Sequence, residues 1–203
     1  MPRYKLIYFN ARGRGEVARM LFAEAGVDYE DERIERSEWP VLKSKMPYGQ
    51  LPVLEVDGVQ IAQSTAIFRY LAREFGYAGK TSIDQALADM FVCSCDDLVK
   101  PLIDIYRCKD EKTKEEMKQN FLDETAPLYL SKFEEALVLN NGYLVGDSLT
   151  WADLVLISTM PWVEKMVPPE TLAPFPKIKD HKVRIESLPK IASWIEKRPK
   201  TDM

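Results

Sequence analysis

Histidine and cysteine, the residues that most often carry acid–base, nucleophilic or metal chemistry, are scarce in this sequence. The lone histidine, His181, lies among charged residues in KIKDHKVRI, which predicts a solvated surface position. The three cysteines, Cys93, Cys95 and Cys108, have neither zinc nor redox C-x-x-C spacing and are expected to be reduced and structural. A histidine-based triad or a multi-histidine metal site is therefore excluded, and no metal is expected.

Tyr8 is a candidate of another kind, because it lies at the end of the strand-forming run YKLIYF, one residue before its last, just ahead of a basic turn that contains Gly13 and Gly15. Its presence has an ordinary explanation, since aromatic residues favour strands. The turn also fits the dinucleotide-binding pattern G-x-G-x-x-A over residues 13–18. That function is disfavoured, because a nucleotide-binding fold continues into further parallel crossover units, whereas this sequence continues into a hairpin and then helices.

Two dipeptides could form a binding site. Leu51-Pro52 opens an apolar strand, where the proline could mark a strand edge or a cis peptide bond that turns the Leu51 backbone towards a ligand. Gln63-Ser64 stands where a helix begins, so Ser64 could be a simple N-cap or part of an anion site made by the free N–H groups of the helix N-terminus.

Hydrophobic periodicity predicts the elements that would position these residues. In chain order they are a strand from Tyr4 to Phe9, a helix from Gly15 to Ala25, a strand in VDYEDERI, a hairpin around Asp57-Gly58 and an amphipathic helix in STAIFRYLAREFG. Trp39 and Lys43 lie in a polar segment of loop or short helix between the second strand and the hairpin. They could be surface residues or one wall of a cleft.

From Thr81 onward helical spacing dominates to the end of the chain, which predicts a second, all-helical domain. Its first helix has Ser82 and Gln85 in capping-box spacing, and Thr150 and Asp153 repeat that spacing in LTWADL. Capping boxes are folding signals, so Asp153 is given no catalytic role.

Composition and charge limit the class of partner. The 203 residues carry a formal net charge of -4 without a Lys/Arg stripe interleaved with aromatic residues, so nucleic acid is not expected as a partner. No uncharged stretch approaches the roughly 18 residues of a membrane helix, and the strand that begins at Tyr4 leaves no room for a signal peptide. These observations predict a cytoplasmic protein without a membrane partner.

In chain order, these features resemble the glutathione transferases, and within them the sigma class. The resemblance rests on YKLIYFNARGRGE, the W-x-x-x-K of residues 39–43, GQLPVLEVDG, AQSTAIFRYLAREFG, VGDSLTWADL and WIEKRP, which together cover nearly the whole chain. It implies an α/β domain with a thioredoxin-like fold (βαβαββα) over residues 1–79, followed by an all-α domain over residues 81–203. It also implies a cytoplasmic homodimer with reduced glutathione as co-substrate.

The resemblance implies a role for each candidate residue. Tyr8 would be the catalytic residue that holds the sulfur of glutathione, and Asp97 would reach the γ-glutamyl amine of the glutathione bound to the partner subunit. The implied glutathione-binding residues are Tyr8, Arg14, Trp39, Lys43, Gly49, Gln50, Leu51, Pro52, Gln63, Ser64 and Asp97. A small hydrophobic electrophile would bind between the domains, against Phe9, Ala11, Gly13, Val99, Ile103 and Tyr106.

Two departures from the family pattern bear on the reaction. Some relatives are prostaglandin D synthases, which carry a tryptophan where this chain has Asp104 and a divalent-cation motif, Asp-x-x-Asp-Asp, whose first acid is replaced here by Cys93. Both differences argue against that isomerase activity and against cation activation. Other relatives are lens crystallins, which often carry an insertion near RCKDEKTKEE that is short here. We therefore predict a detoxifying transferase, with the isomerase and a structural or ligand-binding protein as alternatives.

Overall fold

A computed structural model describes residues 2–201 of the chain. The chain divides into two compact units, one that runs to Ala78 and resumes at Ser187, and one formed by Gly79–Glu186. The sequence interpretation divided the chain once, at residues 79–81, and assigned everything from residue 81 onward to the helical domain. The structure differs in that it groups the segment from Ser187 onward with the α/β unit.

The first unit is built on a four-stranded sheet. Its strands, in the spatial order β2-β1-β3-β4, are β1 (Tyr4–Phe9), β2 (Glu30–Ile34), β3 (Val53–Val56) and β4 (Val59–Ala62). Strand β2 runs parallel to β1, whereas β3 is antiparallel to both β1 and β4. This mixed sheet confirms the predicted thioredoxin-like fold, and its antiparallel half is incompatible with a doubly wound nucleotide-binding sheet.

Three helices accompany the sheet: α1 (Glu16–Ala25), α2 (Trp39–Leu42) and α3 (Ser64–Phe75). The predicted hairpin between β3 and β4 is confirmed, because Asp57 and Gly58 form its turn with φ values of 49° and 88°. Positive φ at both central residues matches the right-handed twist of the two strands. Up to Ala78, the elements of the first unit thus occur in the order β-α-β-α-β-β-α that the sequence predicts.

The core of the first unit fixes the end of β1. Leu6 in β1 and Leu54 in β3 are fully buried, as are Leu21 in α1 and Leu71 in α3. Burial of side chains of this size contributes roughly 1.5–3 kcal/mol each. Because β1 is held on both edges by β2 and β3, its last residues have a defined position at the carboxyl end of the strand.

The second unit contains five helices: α4 (Ser82–Arg107), α5 (Glu111–Asn120), α6 (Ala126–Leu139), α7 (Trp151–Met166) and α8 (Pro176–Glu186). A π-helical segment, Phe121–Thr125, joins α5 to α6. Taken over residues 2–201, no helix of either unit combines the length and apolar character needed to cross a membrane.

Of the two capping boxes predicted for the second unit, one is confirmed and one lies at other residues. The box of α7 at Thr150 and Asp153 is confirmed, with the Thr150 N–H donating to the Asp153 carboxylate at 2.8 Å. The prediction of Ser82 and Gln85 for α4 was wrong, because the box lies one residue earlier, at Thr81 and Asp84. There the Asp84 carboxylate accepts from the Thr81 N–H at 2.9 Å. An ionised carboxylate is a stronger acceptor than a glutamine amide, which favours this register.

The prediction of a solvated His181 was also wrong. Its side chain is fully buried, with Nδ1 3.1 Å from the carbonyl oxygen of Gly142 and Nε2 3.7 Å from Oδ1 of Asp153. Both partners lie far away in the sequence, so the charged neighbours of His181 along the chain did not reveal its position. The three cysteines are free thiols, of which Cys95 is buried.

The final helix, α9 (Pro189–Lys197), belongs to the first unit and packs on α1. One carboxylate oxygen of Glu16 accepts from Nε1 of Trp194 at 2.9 Å and from Nη1 of Arg198 at 2.8 Å. At the other end of α1, Nζ of Lys190 donates to the carbonyl oxygen of Glu24 at 2.7 Å. These contacts attach the end of the chain to the helix that follows β1.

Candidate functional site

Tyr8 lies near the end of β1 and faces the start of α1. Its hydroxyl oxygen accepts a hydrogen bond from the backbone N–H of Arg14 at 3.1 Å. Because a hydroxyl group can donate one hydrogen bond while accepting others, its hydrogen remains for a second partner. The geometry therefore leaves the Tyr8 hydroxyl able to donate, and its role in holding the sulfur of glutathione stays a prediction of the resemblance.

The Gly-x-Gly pattern of the following turn provides space for the Tyr8 ring. A Cβ atom at Gly13 would lie 2.6 Å from the Tyr8 hydroxyl oxygen, and one at Gly15 would lie 2.6 Å from Cδ1 of the same ring. Any other residue at either position would displace the tyrosine or the turn. The two glycines thus have a structural explanation that needs no nucleotide.

The segment before β3 carries a second group of predicted residues. The Leu51–Pro52 peptide bond is cis, one of the two alternatives that the sequence left open. Pro52 is buried, whereas the side chain of Gln50 is exposed. A Cβ atom at Gly49 would lie 3.5 Å from Cγ and Cε of Lys43, so the aliphatic part of Lys43 extends along this segment.

Gln63 and Ser64 lie at the N-terminus of α3. Gln63 occupies the N-cap position and Ser64 is the first helical residue, so the simple N-cap explanation for Ser64 is wrong. Gln63 has φ 71° and ψ 110°, a conformation that residues other than glycine rarely adopt, and its side chain makes no capping hydrogen bond. Strained backbone of this kind is typical of functional sites.

Aromatic contacts join two more predicted residues. The Phe9 ring lies 5.4 Å from the Trp39 ring in an edge-to-face arrangement and 5.8 Å from the Tyr8 ring. Trp39 is the first residue of α2, the helix that Lys43 immediately follows. The structure therefore connects Tyr8, Phe9 and Trp39 into one aromatic row within the first unit.

Comparison with known proteins places this geometry in a family. The family model for the glutathione S-transferase N-terminal domain matches residues 4–73. The family model for the glutathione S-transferase C-terminal domain matches residues 96–198. The chain belongs to the glutathione S-transferase family. Glutathione S-transferase 1 of Ascaris suum is 42% identical over 205 residues, and the alignment covers 99% of each chain.

Two further relatives of this transferase are named prostaglandin synthases. The hematopoietic prostaglandin D synthase of Gallus gallus is 44% identical over 203 residues, with 99% of each chain covered. The solved structure of prostaglandin synthase D of Nilaparvata lugens has a TM-score of 0.89 and 40% identity, covering 98% of this chain and 100% of its own. The family and the enzyme class are thus established together with the fold.

The remaining predicted residues of the transferase lie on α4, in the second unit. Asp97 is exposed, and its Oδ2 accepts from the hydroxyl of Tyr129 at 3.4 Å. Val99 and Ile103 are half-buried. Tyr106 is 65% exposed, with its ring edge-to-face against Trp162 at 6.1 Å.

Sequence reasoning missed Arg19, a charged residue of α1 that is fully buried. Its guanidinium bonds to the carbonyl oxygens of Phe9 and Ala11 and to the carboxylates of Glu16 and Asp31. One signal was present in the sequence, because Arg19 is the one charged residue of VARMLF, the apolar run of residues 17–22. The structure buries this whole run. A charged side chain in such a run needs several partners of its own.

Proposed function

We propose that this transferase uses Tyr8 to ionise the thiol of glutathione and conjugates the thiolate to small hydrophobic electrophiles, as a sigma-class enzyme. The observation that carries the proposal is the hydrogen bond from the Arg14 N–H to the Tyr8 hydroxyl oxygen at 3.1 Å. This bond orients the hydroxyl and leaves its hydrogen for the sulfur. Donation to the charged form of a thiol favours ionisation and lowers the thiol pKa.

The gain from ionisation alone is limited. A thiol with a pKa of about 8.5 is roughly 3% thiolate at pH 7, whereas a thiol with a pKa of about 6 is roughly 90% thiolate. The nucleophilicity of the sulfur falls over the same shift, by roughly tenfold for a Brønsted slope of about 0.4–0.5. The net gain is a few-fold, so most of the acceleration must come from holding the thiolate against the electrophile.

The two carboxylates of glutathione would be held by separate groups of the first unit. The γ-glutamyl carboxylate would bind at the N-terminus of α3, where the backbone N–H groups near Gln63 and Ser64 and the helix dipole favour an anion. The glycyl carboxylate would pair with the ammonium group of Lys43, beside Trp39. Both ends of the tripeptide would then be fixed with its sulfur at Tyr8.

The central part of glutathione would bind to the segment before β3. The backbone of Leu51, next to the buried Pro52, would pair with the cysteinyl residue, while the exposed side chain of Gln50 would add a polar contact. Gly49 allows the close approach of Lys43 to this segment. Arg14 is exposed and would place a positive charge near the thiolate, which would lower the thiol pKa further.

The electrophile would contact residues at and after the end of β1. Phe9 offers an aromatic surface next to the Tyr8 ring, and Ala11 and Gly13 are small enough to leave room for a second substrate. Val99, Ile103 and Tyr106 remain the predicted contacts from the helical unit. A binding surface of apolar side chains of this kind discriminates weakly between hydrophobic compounds, which suits a detoxifying enzyme.

A homodimer is part of the proposal, because α4 carries an exposed apolar stripe. Ile83, Leu87 and Met90 are 67%, 38% and 49% exposed and follow one another at helical spacing. Asp97 lies seven residues after Met90, which is two turns further along the same face. A partner subunit that covers this stripe would therefore also lie along the face that carries Asp97, the residue predicted to reach the partner's glutathione.

The similarity to the two prostaglandin D synthases supports a second candidate, isomerisation of a prostaglandin endoperoxide. Asp104 and Cys93 stand against it, since they replace the tryptophan and the first acid expected of those relatives. Incubation with the endoperoxide and glutathione decides the matter. A prostaglandin D product above the uncatalysed yield would establish the isomerase, and its absence beside aryl halide conjugation would establish the transferase alone.

The test of the main proposal is the ultraviolet absorbance of the thiolate of bound glutathione, measured against pH in the wild type and in Tyr8→Phe. We expect a thiol pKa of about 6–7 that rises by one unit or more in the variant, corresponding to about 1.4 kcal/mol or more. Tyr4→Phe is the matched control, because Tyr4 begins the same strand. Equal thiol pKa values in Tyr8→Phe and the wild type would refute the assignment.

A further inference from the structure

The guanidinium of Arg19 joins the end of β1 to the loop that follows it. Nη1 donates to the carbonyl oxygen of Ala11 at 2.6 Å, and Nη2 is 3.4 Å from the carbonyl oxygen of Phe9. Cζ lies 5.8 Å from the centroid of the Tyr8 ring. Arg19 therefore holds the backbone on both sides of Asn10, immediately after the residue proposed to ionise glutathione.

Two carboxylates hold the guanidinium in turn. Nε donates to Oδ1 of Asp31 at 3.1 Å, and Nη1 is 3.4 Å from Oε2 of Glu16. Asp31 belongs to β2, whose partner in the sheet is β1. Arg19 thus cross-links α1, β2 and the Tyr8 loop, which is defined here as residues 10–15.

Stability alone does not account for a charged residue at this position. The side chain of Arg19 is 0% exposed, and a buried ion pair often contributes no more to stability than an apolar side chain of similar volume. Its neighbours in α1, Ala18 and Met20, are apolar and buried. A leucine or methionine would fill the same space without the cost of removing a charge from water.

We propose that Arg19 is a positioning residue for Tyr8, an inference that rests on the proposed function. The Arg14 N–H can bond to the Tyr8 hydroxyl only when the loop between them has one conformation, and Arg19 fixes that conformation through its two carbonyl contacts. Only the planar fork of arginine reaches two carbonyls and a carboxylate together, so lysine cannot replace it. Displacement of a catalytic group by about 1 Å can cost roughly a hundredfold in rate.

The experiment compares Arg19→Lys, Arg19→Gln, Tyr8→Phe and the wild type as full-length proteins. For each, the pKa of the bound glutathione thiol and the pH profile of kcat/KM with a model aryl halide are measured. Binding of S-methylglutathione, which has no thiol to ionise, reports whether the rest of the site is intact. Lys5→Gln is the matched control, because Lys5 pairs with Glu30 and Glu32 across β1 and β2 without contacting the loop.

We expect Arg19→Lys to bind S-methylglutathione as the wild type does but to raise the bound thiol pKa by about one unit, a tenfold change in its ionisation constant. The loss in kcat/KM should be about tenfold below the thiol pKa and should shrink as pH rises above it. Arg19→Gln should show an equal or larger shift, and Lys5→Gln none. A residue that only stabilises the fold would lower activity equally at every pH.

The outcomes separate this inference from the proposed function. If Tyr8→Phe raises the thiol pKa and folded Arg19 variants do not, the role of Arg19 is refuted while that of Tyr8 stands. If Tyr8→Phe has no effect, the proposed function itself fails. Should neither Arg19 variant fold, Glu16→Gln decides, because it removes the carboxylate from Arg19 and leaves Trp194 an acceptor. An unchanged thiol pKa in Glu16→Gln overturns the inference, and a rise supports it.

Discussion

The Tyr8 ring lies directly against Gly15, where a Cβ atom would be 2.6 Å from Cδ1 and 2.9 Å from Cγ of the ring. Gly15 itself has φ -80°, a backbone conformation open to any residue. The glycine is therefore required by the space that Tyr8 occupies and not by its own backbone. Tyr8 and the glycine that makes room for its ring are seven positions apart in the sequence.

Substitution of Gly15 by alanine should therefore displace Tyr8, the residue proposed to ionise glutathione. We expect Gly15→Ala to lower the free energy of unfolding by about 1–3 kcal/mol, as overpacking does. It should also raise the pKa of the thiol of bound glutathione. Denaturant unfolding and thiolate absorbance check the two effects. Gly58→Ala is the control, since Gly58 has φ 88° with open space around it, and should lose about 1 kcal/mol without any change in thiol pKa. A wild-type thiol pKa in Gly15→Ala would contradict the argument.

Relief of the strained backbone at Gln63 should separate stability from function. Because glycine adopts φ 71° readily, we expect Gln63→Gly to be as stable as the wild type or more stable by up to about 1 kcal/mol. The lost side-chain contacts should weaken glutathione binding by about fivefold to a hundredfold, or roughly 1–3 kcal/mol. Calorimetric titration measures the affinity. Asn141→Gly is the control, because Asn141 also has a positive φ, of 51°. It should leave the affinity for glutathione unchanged and should not lower the stability.

The ammonium group of Lys43 should recognise the glycyl carboxylate. Lys43→Met is expected to weaken glutathione binding by about two- to fivefold, because exposed ion pairs contribute below about 1 kcal/mol. Binding of γ-glutamylcysteine, which lacks the glycine, should not change. The difference should also shrink in high salt. Lys45→Met, an exposed lysine two residues later, serves as the control. Equal losses of affinity for glutathione and γ-glutamylcysteine would show that Lys43 does not bind the glycyl carboxylate.

A negative charge in the apolar stripe of α4 should dissociate the dimer. Met90→Glu places a carboxylate at a position that a partner subunit would cover, where an unpaired charge costs several kcal/mol. Sedimentation should then detect a monomer. Its affinity for glutathione should be lower, since Asp97 could no longer reach the glutathione of a partner subunit. Val138→Glu, on α6, is a control for adding charge to an exposed valine. A wild-type protein that sediments as a monomer would remove the dimer from the proposal.

Glu24 should make the protein less stable as pH rises. Burial raises the pKa of its carboxyl above the ordinary value of 4.5, against an opposing effect of Lys190, and Oε2 is buried without a hydrogen-bond partner. A raised folded-state pKa means that the protonated form is favoured by folding, so this contribution is complete below pH 4.5 and is lost as pH rises through the folded pKa. Glu24→Gln should have the higher Tm at pH 7 and lose that advantage at pH 4. An equal advantage at both pH values would refute this explanation.

Patterns that depend on near neighbours predicted most of the fold. The hairpin at Asp57-Gly58, the strand that ends with Tyr8 and Phe9, and the capping box of Thr150 and Asp153 all involve residues within a few positions of one another. The error at α4 was of the same local kind, because Thr81/Asp84 and Ser82/Gln85 have equal spacing and only the stronger acceptor distinguishes them.

Contacts between distant residues could not be predicted in this way. His181 is buried because Gly142 and Asp153 come to it from elsewhere in the helical unit, and its charged neighbours in the sequence gave the opposite indication. The partners of Arg19 come from α1, β1, the Tyr8 loop and β2. Family resemblance supplied the candidate ligand contacts, and the buried network beneath them became visible only in three dimensions.

The attachment of α9 to Glu16 has a consequence for folding during synthesis on the ribosome. Trp194 follows Glu16 by 178 residues, so a ribosome working at roughly 5–20 residues per second needs about 10–40 s to supply the partner. During that time the entire helical unit is synthesised and the carboxylate of Glu16 lacks Trp194 and Arg198. The half of the molecule made first is therefore the half completed last, and the nascent chain cannot finish its α/β unit until the final helix has left the exit tunnel.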